Sequence, residues 1–206
     1  DGLIAAFNNG EDIHSSTAAL VHGVPLDEVT GDMRRVAKVL NFGVIYGLSP
    51  HGISRQTNLS QKAGKTFIDI YFDKYPGIQK YLDGVKEQCR ETGYVETLLG
   101  RRRYLPDINS RNFRVRSQAE RAAINMPIQG TAADILKWAM IKLHSALPSD
   151  AKMILTVHDE LVVETPEENA GVVSKIVRTE MEQAVEFSVP LTVDIGIGHN
   201  WKEAKG

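Results

Sequence analysis

With 206 residues, the chain is long enough to bury a core and to form either one large domain or two lobes. Its 42% hydrophobic and 24% charged residues are ordinary for a globular protein, and a net charge of −2 gives no overall argument for a polyanion partner. The single cysteine, Cys89, excludes a disulfide framework or a cysteine metal cluster and favours a reduced, cytoplasmic protein, and the absence of any apolar run near the ~18–20 residues of a membrane span predicts no membrane partner.

The first half of the chain is predicted to be helical. Capping residues, first-turn prolines and terminal glycines bound each segment. The predicted helices run from residue 11 to 22, from Thr30 or Asp32 to a stop at Gly47, Ser49 and Pro50, from residue 60 to about 73, and from Pro76 to residue 92.

The second of these helices carries four side chains at a spacing of four residues: Arg34, Lys38, Phe42 and Tyr46. Steps of four on an α-helix lie about 40° apart, so the four side chains follow one slowly drifting stripe. Two cations followed by two aromatic rings suit a ligand with an anionic end and a flat end, such as a nucleoside triphosphate. The alternative is a helix with a solvated basic end and a buried aromatic end.

The middle of the chain is rich in arginine, with seven arginines and two acidic residues between Arg101 and Arg121. Such a run is either a solvated surface or a phosphate-binding segment, since the guanidinium fork binds phosphate at two points. We expect residues 93–100 to form a short hairpin. Helices are predicted over residues 112–125 and 131–147, with Pro127 and Gly130 interrupting them.

Three hydrogen-bond donors in this region are again four residues apart: Arg121, Asn125 and Gln129. The minor groove of a duplex offers acceptors at similar places in every base pair, so donors on one helix face can follow it without reading its sequence. Capping and internal hydrogen bonds are the competing explanation.

The last third is predicted to contain both strands and a helix. The chain is therefore expected to be a helix-rich α+β protein, with a boundary between a helical lobe and a mixed lobe near residues 95–110. Two β-rich runs, MILTV and LVVET, flank His158 and Asp159 as a hairpin with an acidic tip, followed by a helix over residues 166–187 and a strand over PLTVDIGIG. Because strand side chains alternate, Asp159 and Glu160 are not expected to point the same way. One such carboxylate can bind Mg²⁺, whereas a solvated turn acid is the alternative.

Taken together, four segments resemble family A DNA polymerases, the class of bacterial DNA polymerase I, over essentially the whole chain. RRVAKVLNFGVIYG resembles motif B of the fingers, and VHDE resembles motif C of the palm. RAAINMPIQGTAAD resembles the palm helix between them, and DIHSSTA resembles the segment that precedes motif B. The resemblance implies helical fingers over residues 1–100 and a portion of the palm, an antiparallel sheet with packed helices, over residues 101–206.

The resemblance further implies template-directed DNA synthesis, with transfer of a nucleotidyl group from a dNTP to a primer 3′-hydroxyl by two Mg²⁺ ions. For the nucleotide site, it implies that Arg34 and Lys38 hold the triphosphate, that Phe42 packs on the sugar and base, and that Tyr46 gates the site near the templating base. His14 matches a histidine that reaches the phosphates.

For the DNA and metal sites, the resemblance assigns Arg121, Asn125 and Gln129 to the minor groove of the primer–template. His158 would lie by the primer end. Asp159 would bind metal and Glu160 would be an accessory carboxylate, so that Asp159, Lys38 and Glu160 are the expected catalytic residues.

Motif A, which carries the other metal-binding aspartate, is expected before Asp1, and the chain opens without a methionine, as a piece of a longer polypeptide would. We therefore expect this chain to be inactive alone and to need the remaining polymerase segments, motif A and the thumb, as partners. Two other hypotheses are a non-catalytic module that binds nucleic acid or nucleotide on the same fold, and a structural helical domain without a ligand.

Overall fold

The computed structural model describes residues 2–57 and 59–205. Its helices are α1 (Gly2–Asn8), α2 (Ile13–His22), α3 (Gly31–Ile45), α4 (Pro50–Gln56), α5 (Gln61–Lys74), α6 (Pro76–Thr92), α7 (Phe113–Ala146), α8 (Ala170–Glu182) and α9 (Trp201–Lys205). Its strands are β1 (Tyr94–Glu96), β2 (Arg102–Tyr104), β3 (Lys152–Val157) and β4 (Glu160–Glu164). The predicted helix-rich α+β class is confirmed.

The helix starts follow from local capping chemistry. The Thr30 hydroxyl accepts a hydrogen bond from the Met33 amide at 3.3 Å, and the Ser60 hydroxyl accepts one from the Ala63 amide at 3.1 Å. Pro76 occupies the first turn of α6, where its missing N–H has no helical partner to lose. These starts lie where the sequence predicts them.

The chain divides into two compact units, Asp1–Gly130 and Thr131–Gly206. This division of contacts falls later in the chain than the boundary that we expect between fingers and palm, near residues 95–110. The functional boundary stays a prediction.

Two apolar clusters form the core of the first unit. One joins α3, α4 and α5, and the other joins α6, β1 and the first part of α7. Their buried members are Leu40, Val44, Ile53, Phe67 and Tyr71 in the first cluster, and Cys89, Val95, Leu105, Ile108, Ala119, Ala123 and Met126 in the second. The first cluster fixes one face of α3 and leaves the opposite face open to a ligand.

Helix α4 was not predicted. The residues that close α3 also start α4, because Pro50 lies in its first turn and the Ser49 hydroxyl accepts from the Gly52 amide at 3.2 Å. Helix-stop and helix-start signals overlap at this point of the sequence.

The first hairpin extends further along the chain than predicted. Strand β1 pairs with β2 in antiparallel register, with Tyr94 opposite Tyr104, so the second strand lies outside residues 93–100. Residues 97–101 form the turn between the two strands. In this turn the Gly100 amide donates to the Thr97 carbonyl at 3.0 Å, and Gly100 has a φ of +81°. Glycine adopts this left-handed conformation without strain because it has no Cβ.

The predicted interruption near Pro127 is wrong, because α7 runs through it as one helix of 34 residues. A proline removes a single backbone N–H, and the flanking Ala123 and Met126 are buried in the second core cluster. Gly130 does not end the helix either. The Arg101 guanidinium donates to its carbonyl at 2.8 Å, and a Cβ at this position would lie 2.7 Å from the Thr97 methyl group, so glycine allows a close approach.

The second unit contains the predicted acidic hairpin. Strands β3 and β4 pair in antiparallel register, with Val157 opposite Glu160, which leaves His158 and Asp159 as a two-residue turn. The helix after the hairpin is shorter than predicted, since α8 covers Ala170–Glu182 and follows a 3₁₀ turn at Glu167–Asn169.

The predicted last strand, residues 190–198, is wrong: within the described ranges this segment belongs to no β-ladder. Two side chains of α8 bond instead to the backbone of one residue in this segment, Val193. Arg178 Nη1 donates to the Val193 carbonyl at 2.7 Å, and the Val193 amide donates to Glu182 Oε1 at 3.0 Å.

Among the residues described, no helix has the length and apolar character to cross a membrane.

Candidate functional site

The helical period of α3 separates its buried residues from the predicted stripe. Ala37, Leu40, Asn41 and Val44 are buried. The other side of the helix carries the stripe: Arg34, Lys38 and Phe42 are exposed there, and Tyr46 is half-buried at the C-cap. Three of the four stripe residues are therefore exposed, on a helix whose other side is packed in the core.

Arg34 is held by the N-cap of the neighbouring helix α2. Its Nε donates to Asp12 Oδ2 at 2.6 Å, while Asp12 Oδ1 accepts from the His14 amide at 3.0 Å. The hydrogen bond from Arg34 holds the pKa of the Asp12 carboxyl well below its usual range. In the described part of the chain this ion pair uses only Nε, so the two terminal nitrogens of Arg34 are available to an anion.

Lys38 lies one turn further along α3 and is exposed, with no hydrogen bond or ion pair to another described residue. A cation without an intramolecular partner is suited to a phosphate ligand. Its charge acts on His14, whose pKa it helps to lower.

His14, on α2, completes the group. Its ring centroid lies 5.6 Å from that of Phe42, and the planes are tilted by 48°. The pKa of His14 is lowered first by burial and also by the charges of Arg34 and Lys38, against an opposing effect of Asp12. The imidazole is therefore neutral at pH 7.

The aromatic end of the stripe offers a flat surface. Phe42 and Tyr46 have centroids 6.3 Å apart and planes only 14° from parallel, and Phe42 is 44% exposed. An exposed ring beside two cations can bind a planar group that is linked to an anionic one. The structure thus brings together all five predicted residues of the nucleotide site.

Sequence reasoning missed two residues that organise this group, Asp12 and Asn41. Asp12 is recognisable as the N-cap of the helix that begins at Ile13. Asn41 is only 4% exposed among apolar neighbours. The sequence does contain a signal for Asn41: a polar residue stands at a position that the helical period assigns to the core.

The three predicted donors on α7 lie on one uninterrupted helix, so their four-residue spacing places them along one side. Arg121 and Gln129 are exposed and Asn125 is half-buried. The Asn125 Oδ1 atom is buried and has no hydrogen-bond partner among the described residues. Arg121 also lines a cavity of about 330 Å³, together with Gly47, Phe72 and others.

The acidic turn belongs to the second compact unit. His158 has a φ of +56°, a conformation that is uncommon outside glycine and is frequent at functional sites. The Asp159 carboxylate is exposed and has no hydrogen bond or ion pair to another described residue. Glu160 accepts from Lys205 Nζ at 2.6 Å, and this bond lowers its pKa.

The two carboxylates therefore have different surroundings, because Glu160 is paired with Lys205 and, within the described part of the chain, Asp159 is not paired. Among the described residues no group of three or more histidine, cysteine, aspartate or glutamate side chains forms a cluster for a metal. Asp159 can supply one carboxylate, which fits Mg²⁺, because that ion takes one or two carboxylates together with waters and substrate phosphates.

Comparison with known proteins gives matches over the whole chain. The family model for DNA polymerase family A matches residues 1–203. DNA polymerase I of Streptococcus pneumoniae serotype 4 is 53% identical over 207 residues, covering 98% of this chain and 24% of the relative. DNA polymerase I of Geobacillus stearothermophilus is 49% identical over 208 residues, covering 100% of this chain and 24% of the relative.

A solved structure is also similar: the POL domain of Pol1 from M. smegmatis in complex with DNA primer-template and dNTP. It is 45% identical, has a TM-score of 0.94, and covers 100% of this chain and 37% of that chain. The chain spans about a quarter of the length of the curated relatives that it matches.

Proposed function

Because the chain belongs to DNA polymerase family A, we propose that it forms the fingers and part of the palm of a DNA-directed DNA polymerase. Residues 1–100 are the fingers and residues 101–206 are the palm portion. The reaction is template-directed transfer of a nucleotidyl group from a dNTP to the 3′-hydroxyl of a primer, in DNA replication or repair. A cytoplasmic location is part of this proposal.

One observation carries the proposal: His14, two exposed cations and two near-parallel rings lie together on one side of the α2–α3 pair. From Arg34 to Tyr46 this face runs along about 18 Å of helix axis, which leaves room for a triphosphate, a sugar and a base in line. Arg34 holds the distal phosphates and Lys38 adds positive charge where the leaving pyrophosphate develops. Phe42 supports the sugar and base, and Tyr46 gates the position of the templating base.

Primer–template DNA is the proposed second substrate. Arg121, Asn125 and Gln129 donate to minor-groove acceptors near the newest base pair, and His158 lies by the primer end. In this proposal the Nδ2 group of the half-buried Asn125 is the donor, because its Oδ1 atom is buried and can only accept. The similar M. smegmatis domain was solved with a DNA primer-template and a dNTP, which supports both substrates.

Asp159 is the proposed metal ligand of this chain. It would hold Mg²⁺ through one carboxylate, in a pair of ions whose other carboxylate comes from a segment outside this chain, motif A. When bound, such ions lower the pKa of an attacking hydroxyl and neutralise charge on the phosphates. Glu160, already bound to Lys205, acts as an accessory that shapes the turn.

Primer extension by a graft tests the proposal. The 206 residues replace the matching segment of Geobacillus stearothermophilus DNA polymerase I, which is 49% identical. We expect extension that falls by about a thousandfold or more in Asp159→Ala, since metal ions supply several kcal/mol of transition-state stabilisation. An inert wild-type graft that still binds primer–template would favour the non-catalytic binding module.

A further inference from the structure

The buried side of α3 contains one polar side chain that the nucleotide-binding stripe does not include. Asn41 is 4% exposed, and its Nδ2 lies 3.1 Å from His14 Nδ1 and 3.1 Å from Thr17 Oγ1. A buried amide destabilises a core unless hydrogen bonds compensate for its lost hydration. Both bonds of this amide cross from α3 to α2.

Comparison of the two possible orientations of the Asn41 amide favours the one with Nδ2 toward α2. With Nδ2 toward His14 and Thr17, both amide hydrogens are used, and one buried oxygen, Oδ1, has no partner among the described residues. The reversed amide would instead leave a buried NH₂ group with two unused donors. The orientation with Nδ2 toward α2 leaves one unsatisfied acceptor and the reverse leaves two unsatisfied donors, and in the favoured orientation Nδ1 of His14 accepts the hydrogen bond.

A neutral imidazole has one N–H, and an acceptor at Nδ1 places that hydrogen on Nε2. We propose that Asn41 is a positioning residue that holds His14 in the Nε2–H tautomer, so that this histidine presents a donor to the triphosphate oxygens. The proposal rests on the proposed function for its ligand. It assigns a role to a residue that itself contacts neither phosphate nor base.

The surroundings of His14 make the tautomer matter. Arg34 and Lys38 from α3 and burial of the ring lower its pKa, and Asp12 at the start of α2 opposes them. The free site therefore holds a neutral ring, which can donate from one nitrogen only. With the hydrogen on Nδ1, the lone pair of Nε2 would face the phosphate oxygens and repel them. Phe42, 5.6 Å away, restricts the plane of the ring.

The tautomer can be measured without catalysis, from the side-chain ¹⁵N resonances of the 206-residue chain labelled with ¹⁵N-histidine. A His14→Gln variant assigns the signals. We expect protonated Nε2 and unprotonated Nδ1 in the wild type, a mixture of tautomers in Asn41→Leu, and protonated Nδ1 with a raised His14 pKa in the near-isosteric Asn41→Asp, because a carboxylate attracts that hydrogen.

The matched control is Thr17→Val, which removes the other partner of the same amide and leaves the bond to His14. Its His14 spectrum is expected to match the wild type. Wild-type tautomer and pKa values in both Asn41 variants would overturn the proposal, and so would Nδ1–H in the wild type.

Kinetics in the graft test the consequence for binding. Loss of a well-oriented donor to a charged oxygen should raise the KM for dNTP about tenfold in Asn41→Leu, with a smaller change in kcat. On a His14→Ala background the same substitution should change KM by less than about twofold, since residues that act through one another are not additive. Equal effects on both backgrounds would indicate a merely structural role and overturn the proposal.

The two proposals fail in different ways. An inert wild-type graft counts against the polymerase function, whereas the ¹⁵N spectra of the chain still report the tautomer. An active graft with an unchanged tautomer in Asn41→Leu counts against the role of Asn41 alone.

Discussion

At the scale of single residues, the site depends on side chains that orient others. Asp12 both caps α2 and holds Arg34, and Asn41 joins α3 to His14. Sequence spacing predicts which residues face a ligand, because a helix period is a local property. It does not predict which partner from another helix fixes each of them.

The Asp12–Arg34 pair predicts an acid-sensitive contribution to stability. Because Arg34 lowers the pKa of Asp12 in the folded chain, this contribution is fully present above the ordinary pKa of an aspartate and is lost as the pH falls toward the lowered value. Asp12→Asn keeps a capping side chain, so we expect it to reduce the free energy of unfolding by about 0.5–1 kcal/mol at pH 7, as for a partly exposed pair.

Urea unfolding of both proteins at pH 7 and pH 3 checks this. The difference between wild type and Asp12→Asn should shrink at pH 3. A difference that stays constant between the two pH values would show that the ion pair does not stabilise the fold.

Adjacent arginines give a controlled test of the stripe. Arg34 lies on it, whereas Arg35 lies off the stripe and, among the described residues, pairs with the exposed Asp32 at 3.2 Å. In the graft, Arg34→Ala should raise the KM for dNTP about tenfold or more, the effect of losing a charge-assisted bond, while Arg35→Ala changes it by less than about twofold. Similar effects of the two substitutions, measured by steady-state extension, would refute the assignment.

At the scale of helices and strands, the accuracy of prediction depends on how local the cause is. Thr30, Ser60 and Pro76 start helices through bonds within one turn, and the sequence predicts all three. Pro127 remains helical because the helix around it is buried, which depends on distant residues. Residues 190–198 form no ladder in the described chain, and both backbone groups of Val193 bond to distant side chains on α8.

The end of α3 predicts a difference between two left-handed glycines. Gly47 (φ +70°) and Gly23 (φ +66°) both adopt a left-handed backbone conformation that would be strained in any other residue. They differ in the space around them. A Cβ on Gly47 would lie 2.6 Å from the Ile124 side chain, whereas one on Gly23 would contact nothing within 4 Å. Gly23→Ala should cost about 1 kcal/mol of unfolding free energy. Gly47→Ala should cost at least about 1 kcal/mol more, because overpacking adds to the strain.

Thermal or urea unfolding of the two alanine variants separates these effects. Equal destabilisation would mean that Ile124 relaxes freely around the new methyl group. The end of α3 would then be less tightly packed than the distances indicate.

At the scale of the whole molecule, the chain holds the proposed nucleotide face in one compact unit and the acidic turn in the other. Within the described residues only Asp159 is proposed to bind metal, and two-metal transfer needs a second carboxylate. We therefore expect the purified 206 residues to give no template-dependent extension, while the graft extends primers. Extension by the isolated chain on a labelled primer would contradict this.

The sequence predicted the fold class at this scale because the helical and strand patterns are each contiguous, and the roles of the candidate residues stay predictions. It did not predict where the contacts divide, at Gly130, because that depends on the packing of α7 along its whole length.

Cys89, the chain's one cysteine, has a practical consequence. Its side chain is 0% exposed, and burial raises the pKa of the thiol, so the reactive thiolate is scarce and shielded. A cysteine introduced at an exposed position such as Gln56 would then react with a maleimide dye almost alone. No cysteine has to be removed before single-site labelling, and a dye at position 56 would report on the surroundings of α4 with and without added dNTP.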